Sequence, residues 1–399
     1  MTSLDGARIV LGVTGGIAAY KAIEVSRRLV DAGAHVIPVL TEGAEHFVGR
    51  TTFDALASEK VQTSLWDETS PIPHTMLGQN ADLIIVAPAT ARLLADYRMG
   101  RSDDLLTATL IATRAPVLVA PAMHTEMWEH PAVQDNISVL RDRDVHIVDP
   151  EPGRLAGGDI GFGRLASPET IVAHGERVLA ANDLAGAHVV VTAGGTREAI
   201  DPVRVISNRS TGKQGYALAE AAWARGAEVT LISTVEREAP TGVNVVSVVS
   251  AADMHAAVMG VADADVIVMA AAVADFRPAN AATEKIKKTG DGVPQISLEK
   301  THDFLVDLGQ SKPPGQVLVG FAAETENLLE NAQGKLDRKN LDLIVANDVS
   351  APGAGFAHDT NKVTLLFGSG EQNDVPIGSK RVVADAIFDA VVRVRGTLP

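Results

Sequence analysis

The chain is predicted to be α/β, built from two doubly wound, three-layer domains in tandem, Rossmann-like or flavodoxin-like. Three observations predict this. Short aliphatic runs alternate with stretches of helical spacing. The alternation starts twice, each time with a strand that ends in paired glycines. Only 4% of residues are aromatic although 46% are hydrophobic, the aliphatic make-up of parallel sheets covered on both faces. A length of 399 residues suits about two domains with proper cores.

The first strand is "ARIVLGV" (7–13), followed by a tight turn at Thr14-Gly15-Gly16. Ile17, Ala18, Ala22, Val25, Leu29 and Val30 then recur at helical spacing until Gly33 stops the helix. "HVIPVL" (35–40), "DLIIVA" (82–87) and "PVLVA" (116–120) are further strands, with a helix over 91–98. The stretch 166–186 is one amphipathic helix and a polar joint, which places the domain boundary near residue 184, giving domains 1–184 and 185–399. The second sheet begins at "AHVVVTAGGTRE" (187–198) and continues through "EVTLIS", "DVIVMAAA", "VLVGFAAE" and "DLIVAND". "KVTLLF" (362–367) is expected as an antiparallel edge.

A net charge of −15 gives no general attraction to nucleic acid or to anionic membranes, so any phosphate must be met by backbone amides and a few placed cations. The absence of cysteine excludes disulfides, thiolate metal sites and cysteine nucleophiles. The amino terminus has no basic region leading into a long apolar stretch, and no apolar run reaches the roughly 18 residues of a membrane span, so a cytoplasmic location is expected.

Four loops, Thr14-Gly15-Gly16, Thr41-Glu42-Gly43, Pro88-Ala89-Thr90 and 121–124, fall at strand carboxyl ends, the edge where open α/β sheets bind ligands. Neither pair of glycines fits G-x-G-x-x-G with an acidic residue after the next strand, which disfavours a nicotinamide enzyme. Lys285, Lys287 and Lys288 in "EKIKK", with Lys335 and Lys339 spaced i, i+4, form a cationic group of the kind a triphosphate needs inside an acidic protein.

"GVTGGIAAYKA", "ADLIIVAPATARLLA", "SDDLLTATL" and "PAMHTEMW" resemble the flavin-dependent cysteine decarboxylases. "VTAGGTREAIDPVRVISNRSTGKQGYALAEAA", "AAAVADFRP", "EKIKK" and "GFAAET" resemble bacterial phosphopantothenate-cysteine ligase. The order is that of the fused, bifunctional coenzyme A biosynthesis flavoproteins, phosphopantothenoylcysteine decarboxylase and ligase in one chain.

The resemblance implies that the second half activates 4′-phosphopantothenate with CTP as an acyl-cytidylate, from which cysteine's amine displaces CMP. Asn208 would polarise the acyl group and Lys285 assist a transfer step, while Asp275, Asp303, Phe321, Lys335 and Lys339 match nucleotide-site positions. Mg²⁺ would bridge the phosphates, with no protein ligand set readable from spacing. In the first half it implies FMN cradled by Gly15, Gly16, Ile17 and Ala18 at a helix start, with Thr41, Thr90 and Asp103 among the other matched positions and His74 as base. Phosphopantothenoylcysteine would leave as 4′-phosphopantetheine. The resemblance also implies a homo-oligomer, trimer-based and up to a dodecamer.

The stretch "GRLAGGDIGFGRL" (153–165) holds five glycines and has neither helical nor strand period. It resembles the family's mobile substrate flap around Gly157, Gly158 and Asp159, except that Gly157 stands where a cysteine proton donor is expected. His124 stands where the same family has asparagine. Two readings follow: His124, or a water it orders, donates the proton, or His124 binds the substrate carboxylate while Asp159 or solvent supplies the proton. Rival readings of the whole chain are a ligase joined to an oxidative decarboxylase that stops at an ene-thiol, and a flavoprotein regulatory subunit without turnover.

Overall fold

The computed structural model describes residues 2–66, 71–287, 295–324, 328–348 and 358–396. They form two compact units, Met1–Ala181 and Asn182–Pro399.

In the first unit β1 (Arg8–Val13), β2 (His35–Leu40), β3 (Leu83–Ala89), β4 (Val117–Pro121) and β5 (His146–Ile147) form a parallel sheet in the order β2-β1-β3-β4-β5. Every residue of β3 is buried, because helices cover both faces of the sheet. They are α1 (Ala19–Asp31), α2 (Arg50–Leu56), α3 (Pro73–Asn80), α4 (Ala91–Met99), α5 (Leu105–Ala112), α6 (Thr125–Trp128), α7 (Pro131–Arg141) and α8 (Pro168–Leu179). One apolar cluster, with Ile9, Leu11, Val25, Leu29 and Ile171, lies on one face; a second, with Val10, Ile84, Leu94, Leu106 and Ile137, lies on the other. Helix starts are set by side chains that take up orphan amides: Thr90 Oγ1 accepts from Leu93 N, and Asp104 and Thr107 form a reciprocal capping box.

The strand order is that of flavodoxin-like sheets, in which the chain departs from β1 to opposite sides and leaves a crevice between the carboxyl ends of β1 and β3. Thr14 spans that crevice, its hydroxyl donating to Pro88 O at 2.7 Å and accepting from Thr90 N at 3.1 Å.

The glycine-rich stretch is a β-hairpin, β6 (Glu151–Arg154) and β7 (Ile160–Arg164), although no side-chain period announces it. Its strands are carried by backbone pairing, and its glycines have separate jobs. Gly158 takes φ +97° in the turn. Gly163, at φ +129°, lies so close to the Met123 carbonyl that any Cβ would collide with it, and a Cβ at Gly161 would collide with the Thr125 hydroxyl. Close docking, more than looseness, accounts for these two.

In the second unit the sheet runs β12-β11-β8-β13-β16-β17-β18-β19, with β8 (His188–Ala193), β11 (Glu228–Ser233), β12 (Val243–Ser247), β13 (Val266–Met269), β16 (Val317–Glu324), β17 (Leu343–Asp348), β18 (Thr360–Phe367) and β19 (Gln372–Ser379). The first six are parallel in the dinucleotide-fold order, with the topological switch between β8 and β13. Two small antiparallel pairs, β9 (Arg197–Ala199) with β10 (Val205–Ser207) and β14 (Phe276–Pro278) with β15 (Leu298–Lys300), are separate from that sheet. The helices are α9 (Lys213–Ala224), α10 (Ala251–Met259), α11 (Phe304–Ser311), α12 (Leu328–Arg338) and α13 (Lys380–Arg395). "KVTLLF" is antiparallel, but it is not the edge: β19 pairs along its outer side. The polar sequence QNDVPIGS hides that strand, and its proline is tolerated because only one side needs a ladder. No described helix is long and apolar enough to cross a membrane.

Candidate functional site

In the first unit a cavity of about 730 Å³ opens at the β1/β3 switch point. Gly15 to Ala18 form one wall, Thr90 and Ala91 a second, 122–124 a third, and the hairpin residues 154–156 and 163–165 the cover. Gly15 is required where it stands, since a Cβ there would lie 2.7 Å from the Gly43 backbone. Among the described residues the amides of Gly15, Ile17 and Ala18 have no hydrogen-bond acceptor, and α1 begins without a side-chain cap. Open amides at a helix start suit an anionic group. The size suits a cofactor.

The hairpin is held down by Met123 N donating to Gly163 O at 3.0 Å and Thr125 Oγ1 donating to Phe162 O at 2.8 Å. This places the hairpin turn over His124. His124 Nδ1 meets Glu126 and its Nε2 faces Asp159 Oδ2 at 3.2 Å. The Glu126 hydrogen bond foremost, and then Asp159, raise the imidazole above its ordinary value.

Thr41, Asp103 and His74 are not among the residues lining this cavity, and neither are Gly157, Gly158 and Asp159 at the hairpin turn. Thr41 Oγ1 accepts from Ala44 N at 3.3 Å and so shapes the turn after β2. Asp103 is exposed and pairs with Arg101. His74 is half-buried in the first turn of α3, with Nδ1 buried and lacking a hydrogen bond.

In the second unit Asn208 sits across the β8/β13 switch. Its Nδ2 donates to Ala272 O and its Oδ1 accepts from Ser210 N at 2.9 Å. Gly195 leaves it room: a Cβ there would overlap the Asn208 amide. Phe321, on β16, shares a small cleft of about 40 Å³ with 210–215, Asn347, Asn361 and Lys380, enough for the end of a ligand. Burial and the neighbouring Lys213 charge bring Lys380 down to about 8. A larger cavity of about 770 Å³, lined by Leu336, Phe367 and Arg393 among others, lies toward the amino end of β17, away from the switch-point edge.

Asp275, Lys285 and Asp303 are exposed, and Lys339 pairs with Asp303 at 2.7 Å. The i, i+4 pair holds as a turn, since Lys339 N donates to Lys335 O at 3.0 Å just past the end of α12. The segment carrying Lys285 and Lys287 is anchored by buried Asp201, whose carboxylate accepts from Val203, Arg204 and Ile286 amides. Lys288 lies outside the described residues. Among the described residues one group has metal-ligand spacing, His255, His302 and Asp307, with ligand atoms within 4.8 Å of one another. Two imidazoles and one carboxylate differ from the oxygen-rich, hydrated surroundings of Mg²⁺.

Two family models match: "Flavoprotein" over residues 1–179 and "DNA/pantothenate metabolism flavoprotein C-terminal domain" over residues 184–394. The chain is 50% identical to the coenzyme A biosynthesis bifunctional protein CoaBC of Mycobacterium tuberculosis, covering 96% of each. It belongs to the CoaBC family. The Bacillus subtilis member is 49% identical over 97% of each chain. A crystal structure of the C-terminal domain of a CoaBC protein aligns at 41% identity, covering 53% of this chain and 97% of that one, with a TM-score of 0.46.

As a CoaBC-family chain it is a bifunctional enzyme of coenzyme A biosynthesis, with decarboxylase and ligase activities. Sequence reasoning passed over Glu126, whose contact with His124 needs the α6 turn, and Lys380, which opens the last helix far from any motif. Lys213 lies inside the quoted "STGKQG" string and could have been singled out as its one cation.

Proposed function

We propose that the second domain, 185–399, joins 4′-phosphopantothenate to cysteine through an acyl-cytidylate made from CTP, and that the first, 1–184, decarboxylates the product to 4′-phosphopantetheine with FMN. The observation that carries this is the pairing of two switch-point clefts in one CoaBC-family chain, the first lined by open amides at the start of α1.

Gly15, Gly16, Ile17 and Ala18, with Thr90, would hold FMN, whose phosphate suits amides at a helix start and whose ring suits the apolar walls at Ile17, Met123 and Leu155. FMN supplies a reversible two-electron oxidation of the substrate thiol, which provides the electron sink for CO₂ loss. Thr41 shapes the neighbouring turn, Asp103 lies on the exposed surface before α5, and both are kept as outlying members of the flavin site. Gly157, Gly158 and Asp159 form the tip of the hairpin that covers substrate and excludes water. His124 acts on the substrate from beneath it.

His74 is the proposed base, and its distance from the cavity lining goes with a trimer-based homo-oligomer in which another copy brings its α3 to this cavity. The exposed Ile17, Tyr20, Met127 and Phe162 around the mouth support such a contact. In the ligase domain Asn208 polarises the acyl group and Lys285 assists transfer. Asp275, Asp303, Phe321, Lys335 and Lys339 hold the nucleotide, and Mg²⁺ is held mainly by phosphates and water. The reading places the enzyme in the cytoplasm, with small-molecule substrates only.

The purified chain is expected to be yellow, with a flavin spectrum, and to release CMP from CTP only when phosphopantothenate and cysteine are both present. A colourless protein that takes up no FMN and leaves CTP intact overturns the assignment.

A further inference from the structure

Decarboxylation has a requirement independent of its electron sink. The C–CO₂ bond breaks with its electron pair left on carbon, and that carbon ends as CH₂ in the thiol product. The balance is R–COO⁻ + H⁺ → R–H + CO₂, so a proton must be delivered to the carbon inside the covered cavity. The chain has no cysteine to provide it, and the hairpin that borders the cavity brings its turn to the imidazole of His124.

We propose that His124 is this donor: clasped between Glu126 and Asp159, it stands beside the place that a side chain at position 157 would take, with Asp159 as the positioning residue that keeps the proton on Nε2. The inference rests on the function proposed above and concerns which atom carries out one step of it.

Three observations converge. His124 lines the cavity, and its Nε2 is turned toward the hairpin, 3.2 Å from Asp159 Oδ2. A Cβ built on Gly157 stands 3.3 Å from both His124 Nε2 and Asp159 Oδ2, tighter than ordinary contact, so a side chain at 157 would press directly on the imidazole. The ring has a carboxylate at each nitrogen: Glu126 from α6 at Nδ1 and Asp159 from the hairpin turn at Nε2. The cations on the other cavity walls are Lys21 from α1, Arg154 from β6 and Arg164 from β7. Lys21 is tied to Leu165 O at 3.1 Å and Arg164 to Glu151 at 2.8 Å, so both have partners other than the imidazole.

In the step, the Nε2–H bond breaks, the C–H bond forms with the pair left by CO₂, and the neutral imidazole is reprotonated from solvent when the hairpin lifts. Glu126 holds Nδ1–H throughout and stabilises the imidazolium before transfer. Asp159 can follow the hairpin, so closing the cover and charging the donor become one event.

The test compares wild type, His124→Asn, Asp159→Asn, Glu126→Gln and the double variant His124→Asn/Gly157→Cys as full-length proteins, with wild-type flavin content as the check that the first unit is folded in each. His124→Asn is expected to lower thiol product at least about 100-fold, the usual scale of a lost general acid. CO₂ would still be released once per flavin, with an ene-thiol left behind and the yellow colour bleached. Placing a thiol in the vacated volume should restore product in the double variant. Independently of activity, hydrogen–deuterium exchange at the His124 ring, followed by mass spectrometry, should give a titration midpoint above 6.5 that falls in Asp159→Asn and Glu126→Gln.

Undiminished thiol from His124→Asn overturns the proposal, as does complete loss of CO₂ release, which would assign His124 to binding the substrate carboxylate. A midpoint unmoved by both carboxylate variants overturns the role of Asp159. If wild type itself releases no CO₂ from phosphopantothenoylcysteine, the proposed function fails and not this step alone.

Discussion

Replacing Gly163 by alanine should lift the hairpin from the cavity without unfolding the unit. Gly163 combines φ +129° with a Cβ direction that runs into the Met123 carbonyl, and its own carbonyl accepts the Met123 amide. A non-glycine residue held in that backbone region costs about 1–3 kcal/mol. Separation of the two segments forfeits the Met123 hydrogen bond, about 1 kcal/mol more. The docked state therefore loses about 2–4 kcal/mol, which at 1.4 kcal/mol per tenfold is about 30- to 700-fold in its population relative to the lifted state. Gly158→Ala is the control: φ is +97°, but nothing lies within 4 Å of the new Cβ, so backbone strain acts alone and no docking contact is touched. Amide exchange at Met123 reports the docking directly. Gly163→Ala should accelerate it by that factor while core amides of β1 and β3 keep wild-type protection, and Gly158→Ala should leave Met123 close to wild type. Equal acceleration in both variants, or none in Gly163→Ala, would refute the view that close approach fixes the hairpin.

Gly195→Ala should displace the Asn208 amide and reduce CMP release about 100-fold, the scale of a misplaced acyl-polarising group, with flavin content and decarboxylation of supplied phosphopantothenoylcysteine unchanged; an unchanged ligase rate would remove Asn208 from the reaction. Lys380, lowered to about 8 mainly by burial, should make stability rise with pH. Between its folded value and the unfolded lysine value of 10.5 the unfolded chain holds the extra proton, so the full cost of the charge is felt below pH 8. Lys380→Met should therefore stabilise the second unit at pH 7 by on the order of 1 kcal/mol after solvent screening, about 2–4 °C in Tm, and flatten that rise in thermal scans; a lower Tm at pH 7 would contradict it.

The parallel strands were legible because burial on both faces leaves continuous apolar runs, as in LIIVAPA, and the helix over 91–98 was legible from its spacing. The hairpin at 151–164 was hidden, since its strands rest on backbone pairing and on contacts with 122–125, neither of which leaves a side-chain period. The outer strand β19 was hidden for the related reason that it buries little: of its eight residues only Val375 is buried. At the sites, glycines adjoining strand ends could be located because open sheets bind ligands at that edge. Distances between loops could not. Hence Thr41 lies in the right turn with its hydroxyl engaged in shaping it, and Lys213 and Lys380 reach one cleft from places that share no local pattern. His124 and Gly157 are two departures expected to flank one pocket, and the docked hairpin turn sets them side by side.

That adjacency limits how the pocket can be rebuilt one residue at a time. A side chain at 157 would ask the ring at 124 and the Asp159 carboxylate to give by a few tenths of an ångström, and trimming the ring would widen the space between them. The two positions should therefore be varied together, since the side chain at either one sets the room left for the other.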